Sequence, residues 1–216
     1  MFLNNFSVRI PEGNEDNGYV ELAHNTQYTL VVSNKRDLRC DVHIEIDGQE
    51  EGTWRINAYY TLRLERPSRD TGRFTFYKVG TPEARSAQLQ EGNPNLGLVK
   101  ATFTPERKPR PLVVSNYPTS SDLENTHWAG ASASAGDYDD NPPVVAMAAV
   151  PVTQSATRSA GGTGLSGQSN QQFYKVNALD YDYSQQTVIH LRLVARNGND
   201  PRPLTSFSSP VPPPVQ

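Results

Sequence analysis

The chain has 216 residues, of which 36% are hydrophobic, a mean hydropathy of -0.62 and a formal net charge of -3. At this length a sizeable core is possible, since a domain of ~150 residues already buries about 68–70% of its unfolded surface. The charge balance offers no broad basic field for phosphate-driven binding to nucleic acid, and no run approaches the ~18 apolar residues of a membrane span. Cys40 is the only cysteine, so no intrachain disulfide forms.

The opening stretch, MFLNNFSVRIPEGNEDN, has neither the basic nor the apolar region of a signal peptide, so synthesis in the cytosol is expected. From residue 1 to about 105 the pattern is that of strands. QYTLVVS (27–33) is the first clear candidate. In LRCDVHIEID (38–47), Cys40, Val42, Ile44 and Ile46 fall on one face and Asp41, His43, Glu45 and Asp47 on the other, the period of a half-buried strand. Cys40 thereby reads as a small core hydrophobe. The pair Asp47-Gly48 marks a turn, after which Trp54 and Ile56, then Leu62 and Leu64, continue the alternation. RFTFYKV (73–79) and LGLVKATF (96–103) are further strands. Between them PEARSAQLQEG (82–92) reads as a short helix or ordered loop, with Pro82 suited to a first helical turn and Gly92 to a C-terminal cap.

Composition shifts near residue 105. Residues 106–172 are rich in Ser, Ala, Gly and Pro, a composition that cannot by itself offset the entropy of ordering, and they read as an extended arm. Within them ERKPRP (106–111) is a short basic linker, and PPVVAMAAVPV (142–152) is an apolar island bounded by prolines, suited to an edge strand or a segment lying on another surface. Strand pattern returns in FYKVNAL (173–179) and TVIHLRLVA (187–195), which either pair with each other, complete the N-terminal sheet or add to a neighbouring subunit. The tail from 196 to 216 ends in PVPPPVQ and is polyproline-like. Short strands punctuated by turn residues give an all-β fold: an antiparallel β-sandwich or jelly-roll-like domain with Gly/Ser/Pro-rich arms and a C-terminal strand.

Candidate chemistry is sparse. Gly162, Gly164 and Gly167 in GGTGLSG match the spacing of a dinucleotide fingerprint, but no buried strand pattern precedes them and no helix pattern follows. Asp41, His43, Glu45 and Asp47 share a face, yet a second closely spaced histidine and a further ligand strand are missing, so the face reads as an outward polar surface and no metal is expected. Asp137, Asp139 and Asp140, and Asp180 and Asp182, supply carboxylates without an EF-hand pattern. No serine elbow or phosphate loop accompanies His24, His43, His127 or His190, and the expectation is a protein without catalytic residues or cofactor. The adjacent Tyr59 and Tyr60 would place one ring outward, the one feature that favours a glycan- or host-surface-binding module; Tyr181 and Tyr183 likewise share a face.

YTLVVSNKRDLRCDVHIEIDGQEEGTWRINAYYTLRLERP, followed by RFTFYKV and LGLVKATFTPE, resembles the β-rich accessory domains of tailed-phage virions, particularly phages of cyanobacteria. GGTGLSGQSNQQF and LDYDYSQQTVIHLRLV look like parts of the same kind of protein. The resemblance implies a capsid decoration, cement or fibre-like role in the virion, with other capsid or virion proteins as partners and a homo-oligomeric state; neither nucleic acid nor membrane is expected as a ligand, on the charge balance and apolar-run length given above. On that reading GGTGLSG is a conforming arm whose glycines let the backbone approach another surface closely. Gly162, Gly164 and Gly167 would then line the contact, with Leu165 and Phe173 as its apolar pegs.

Overall fold

The computed structural model describes residues 1–109 and 158–196. At the N-terminus, strands β1 (Phe2–Leu3) and β2 (Phe6–Arg9) form a hairpin closed by Asn4 and Asn5, both with positive φ (50° and 66°). Asparagine tolerates that region, and two such residues in a row give the twist a tight hairpin needs. Asn17 and Gly18 close the next hairpin, β3 (Asn14–Asp16) to β4 (Tyr19–Leu22), in the same way. The short β5 (Thr26–Gln27) and then β6 (Leu30–Asn34) follow. Asp47 and Gly48 (φ 54° and 81°) join β7 (Cys40–Ile46) to β8 (Gln49–Ile56), the turn expected from the sequence.

Residues 57–60 carry the chain from β8 into β9 (Thr61–Leu64), which lies in a different sheet. After β10 (Arg73–Lys78) comes the short helix α1 (Pro82–Ser86). Thr81 caps it by accepting the Ala84 N–H, and Pro82 occupies the first turn as expected. Its C-terminal stop is Gln88 (φ 57°) rather than Gly92: the N–H of Gln88 reaches Arg85 C=O and that of Leu89 reaches Ala84 C=O, the pair of bonds that closes a helix on a left-handed residue. The last three described strands are β11 (Leu98–Pro105), β12 (Ser159–Ser166) and β13 (Thr187–Ala195).

Two sheets result, and the fold is an all-β sandwich. The smaller has the order β1-β2-β6-β9; the larger runs β5-β10-β12-β13-β11-β7-β8, with β3 and β4 attached through a parallel β4–β13 pairing. Every other pairing is antiparallel. Phe6 of the small sheet stacks on Phe103 of the large one at 4.6 Å between centroids. Around them lie Val8, Leu30, Val32 and Leu64 from one side and Val42, Ile44, Val99, Ile189 and Leu191 from the other, all buried. Cys40 is in this core as expected, and burial pushes its thiol up to about 12, which keeps it protonated and unreactive.

Three boundaries differ from the sequence reading. The arm expected over 106–172 does not extend through its last part, because Ser159–Ser166 is a full strand of this chain's own large sheet, registered against β10 from Arg73↔Ser166 to Lys78↔Gly161. Residues 1–105 do not form a self-contained sandwich either: β13 sits inside the large sheet, pairing β11 along Thr187–Arg192 and then β4 and β12 along its end. Of the three pairings left open for the C-terminal strands, the structure thus has completion of the N-terminal sheet. Residues 173–179 are not a strand. Tyr174 and Val176 are exposed there, and the Asn177 carbonyl is taken by the Arg55 side chain instead of a neighbouring backbone. The chain divides into one unit of Met1–Lys108 with Ser155–Gln216 and a second of Pro109–Gln154; all described strands belong to the first. The island 142–152, Asp137, Asp139, Asp140, His127 and the proline-rich tail lie outside the described residues.

Candidate functional site

The glycine-rich strand owes its composition to what lies against it. A Cβ on Gly161 would run into the Phe76 ring and lie 2.9 Å from the Tyr77 carbonyl oxygen; one on Gly162 would meet Leu96 and Leu89 at 2.8 and 2.9 Å; one on Gly164 would meet the Tyr77 ring and Ala87. These glycines are sites of close packing within the chain, and Gly167 takes a positive φ of 64° where the strand ends. No helix follows the strand, so the dinucleotide reading fails on the missing helix N-terminus. Thr163, between them, is held from two sides: its N–H donates to Asp47 Oδ2 at 2.6 Å and its hydroxyl meets the Tyr28 hydroxyl at 2.7 Å. Asp47 also accepts the N–H of Gly97. Burial pushes its carboxyl up to about 6 although both N–H donors pull the other way.

Over this strand a groove of about 670 Å³ is lined by Tyr77, Pro82, Glu83, Ala87, Gly164 and Leu165. Leu165 is 41% exposed at its edge. Phe173, the other expected peg, is elsewhere: its ring meets Trp54 edge-on at 5.6 Å and lies beneath the Arg66 guanidinium at 4.4 Å. Arg66 in turn donates to the Gln171 carbonyl, so this side chain fastens 169–173 to the sandwich. The structure therefore brings Gly164 and Leu165 to one groove and separates Phe173 from it.

Asp41, His43 and Glu45 do share the outer face of β7, but each has protein partners. Arg55 grips Asp41 with two bonds of 2.8 and 3.0 Å and Tyr181 donates to it at 2.6 Å; His43 pairs with Thr53 at 3.0 Å; Lys100 donates to Glu45 at 2.8 Å. Asp47 leaves that face for the turn. Among the described residues no group of three or more His, Cys, Asp or Glu is placed to hold a metal ion. Asp180 lies 3.7 Å from Arg107, and Asp182 caps the 3-10 turn at Tyr183–Gln185. His190 is buried on the same face with Nδ1 unpartnered; burial, then Lys100, pushes its pKa down, so it stays neutral.

At one end of the sandwich the backbone brings three short segments side by side. The Lys35 N–H reaches Asn5 C=O at 2.8 Å, and the Tyr59 N–H reaches Arg36 C=O at 3.1 Å. A polar groove of about 380 Å³ lies here, lined by Asn4, Asn5, Arg36, Ser184, Gln185 and Gln186 with Thr187. Tyr59 and Tyr60, the expected glycan-facing pair, are 73% and 55% exposed. The groove's own residues escaped sequence reading because the 3-10 turn lies almost 150 positions from Arg36, as the Arg36–Gln185 bond shows. The one local signal was Asn4-Asn5 between two apolar runs, a hairpin turn by composition.

The chain matches no protein-family model, no curated protein and no solved structure. No helix among the described residues is long and apolar enough to cross a membrane.

Proposed function

We propose that the protein is a non-enzymatic structural protein of a virion, a decoration- or cement-type component that binds other capsid subunits through its Gly/Ser/Pro-rich segments. The observation that carries this reading is where those segments attach. Ser159, which follows the segment 110–157, pairs with Ala195, which precedes the tail, so one sequence ends and the other begins at the same corner of the sandwich, while 110–157 departs from the far end of β11. A rigid domain with proline-rich sequences attached at its ends suits a protein that stands on a surface and is fastened to it through those sequences.

The test replaces 110–157 by a Gly/Ser linker of about 20 residues and removes 197–216. Such a linker reaches about 25 Å, close to the ~27 Å length of an eight-residue strand such as β11 that it must span. Far-UV circular dichroism and thermal unfolding should stay near those of the parent, and co-sedimentation with capsids should be lost. Co-sedimentation retained by the shortened protein, or absent from the full chain, would sink the proposal. Leu165→Ser, on the exposed edge of the strand groove, should weaken co-sedimentation if that groove belongs to the contact.

A further inference from the structure

We infer that the amide-lined groove at the Asn4–Asn5 end of the sandwich is a binding site for a neutral oligosaccharide, with Tyr59 as its stacking platform. The first support is the chemistry of the lining. Asn4, Asn5, Gln185 and Gln186 each present a donor and an acceptor on one planar group, which is what a sugar hydroxyl, itself both, requires. No carboxylate lines the groove. Its one cation, Arg36, donates to Gln185 Oε1 and lies over the Phe6 ring at 5.6 Å, so it is held in place with donors to spare. Asn4 and Gln186 are fixed by Thr187 and Thr104, whereas Asn5 has no side-chain partner among the described residues.

The second support is independent of the first. Tyr59 is held at φ +56°, a region that bulky side chains rarely occupy and that Asn or Gly occupies readily. Its ring is 73% exposed, so no burial offsets the strain. The turns at Asn4, Asn5 and Asn17 fill the same region with Asn, which suits it better than Tyr does. Strain retained under an exposed aromatic ring, on the residue whose N–H is bonded to the carbonyl of the groove-lining Arg36, points to a ligand platform next to the groove, the apolar face of a pyranose being its natural partner. Tyr60, the next residue, is 55% exposed as well. This inference does not rest on the virion reading.

The experiment screens the intact chain against an array of neutral and acidic glycans, then measures maltohexaose, chitohexaose and any array hit by saturation-transfer NMR. Expected is saturable binding of a neutral oligosaccharide that is insensitive to salt. Tyr59→Asn should weaken it about tenfold, the loss of one stacking contact, while raising the unfolding temperature, because Asn suits the backbone better. Asn5→Gly, which keeps the turn, should weaken it several-fold. Three outcomes would overturn the inference: no neutral glycan bound, binding undiminished in Tyr59→Asn and Asn5→Gly, or binding confined to acidic glycans and abolished by salt. Co-sedimentation with capsids, measured on the same variants, is expected to be unchanged.

Discussion

Strands β12 and β13 pair with each other at Ser159↔Ala195 and Ala160↔Val194, yet they are held by different physics. In β13 the side chains do the work: Ile189, Leu191 and Leu193 enter the core while His190 and Arg192 lie on the other face, and any protein burying that strand would need a similar alternation. In β12 the side chains are nearly absent. Its position is set by what reaches it from elsewhere: the Phe76 and Tyr77 rings against its glycines, Asp47 on the Thr163 N–H, and Arg158 at its start, which joins Asp16 and Glu21 and lies over the Tyr19 ring at 4.4 Å. One strand is specified by its own pattern and the other by its surroundings.

The sharpest way to break the second kind of specification is at the point where the two strands exchange partners. Gly97 sits there with φ +71°, and a Cβ on it would run into the Leu193 carbonyl and lie 2.7 Å from the Gly161 carbonyl oxygen, backbone atoms that cannot rotate away. Gly97→Ala should therefore cost on the order of 4 kcal/mol, strain and overpacking together. Gly80, at φ +88° with nothing within 4 Å, is the built-in control: Gly80→Ala carries the conformational penalty alone, about 1 kcal/mol. Urea unfolding of both variants checks this. Equal losses would mean that close approach contributes nothing at the junction.

Removing an anchor should cost somewhat less. Asp16 is almost wholly buried and its second carboxylate oxygen has no partner, so Arg158→Ala would leave a buried charge facing Glu21. The expected loss is about 3 kcal/mol, with hydrogen exchange accelerating over 159–166 before 187–191. Uniform acceleration across both strands would show that β12 and β13 open as one unit and that the contrast between them is only compositional.

The same contrast explains what could be read from the sequence. Strand β7 with its Asp47-Gly48 turn, strand β13, and the capped start of α1 are local patterns, and each is where periodicity and capping residues place it. Strand β12 was hidden because GGTG has no alternation to detect; its strand character comes from Phe76, Tyr77 and Asp47, which lie more than 80 residues earlier in the chain. FYKVNAL had alternation but no open partner, since Arg55, Asp41 and Arg66 hold residues 171–181 by side-chain bonds. Of the candidate site residues, Tyr59 and Tyr60 were visible as adjacent aromatics. Arg36, Gln185 and Gln186 were not, because only the closing of the two sheets brings them together.

The finest test uses pH, because the group that holds β12 is titratable. Glu51 is partly buried, and burial, then repulsion from Asp47 and Asp70, pushes its carboxyl up to about 7; Asp47 itself stands at about 6. Raised carboxyl pKa values mean that the folded state binds protons more tightly than the unfolded chain does. The stability these groups contribute is full below their unfolded values near 4 and is lost as pH rises through 6 to 7. Unfolding temperature should accordingly fall between pH 5 and pH 8. Glu51→Gln keeps the shape, abolishes one titration and relieves the charge next to Asp47, so it should be the more stable protein at pH 8 by about 1–2 kcal/mol after solvent screening of a half-exposed group. At pH 5 the two should differ little. Because Asp47 holds β12 directly by accepting the Thr163 N–H and reaches β13 only through the charge of Arg192, the gain at pH 8 should appear mainly as slower exchange over 159–166 relative to 187–191. A fall with pH identical in Glu51→Gln and the parent would assign the dependence to other groups and leave β12 no more sensitive to charge than its neighbour.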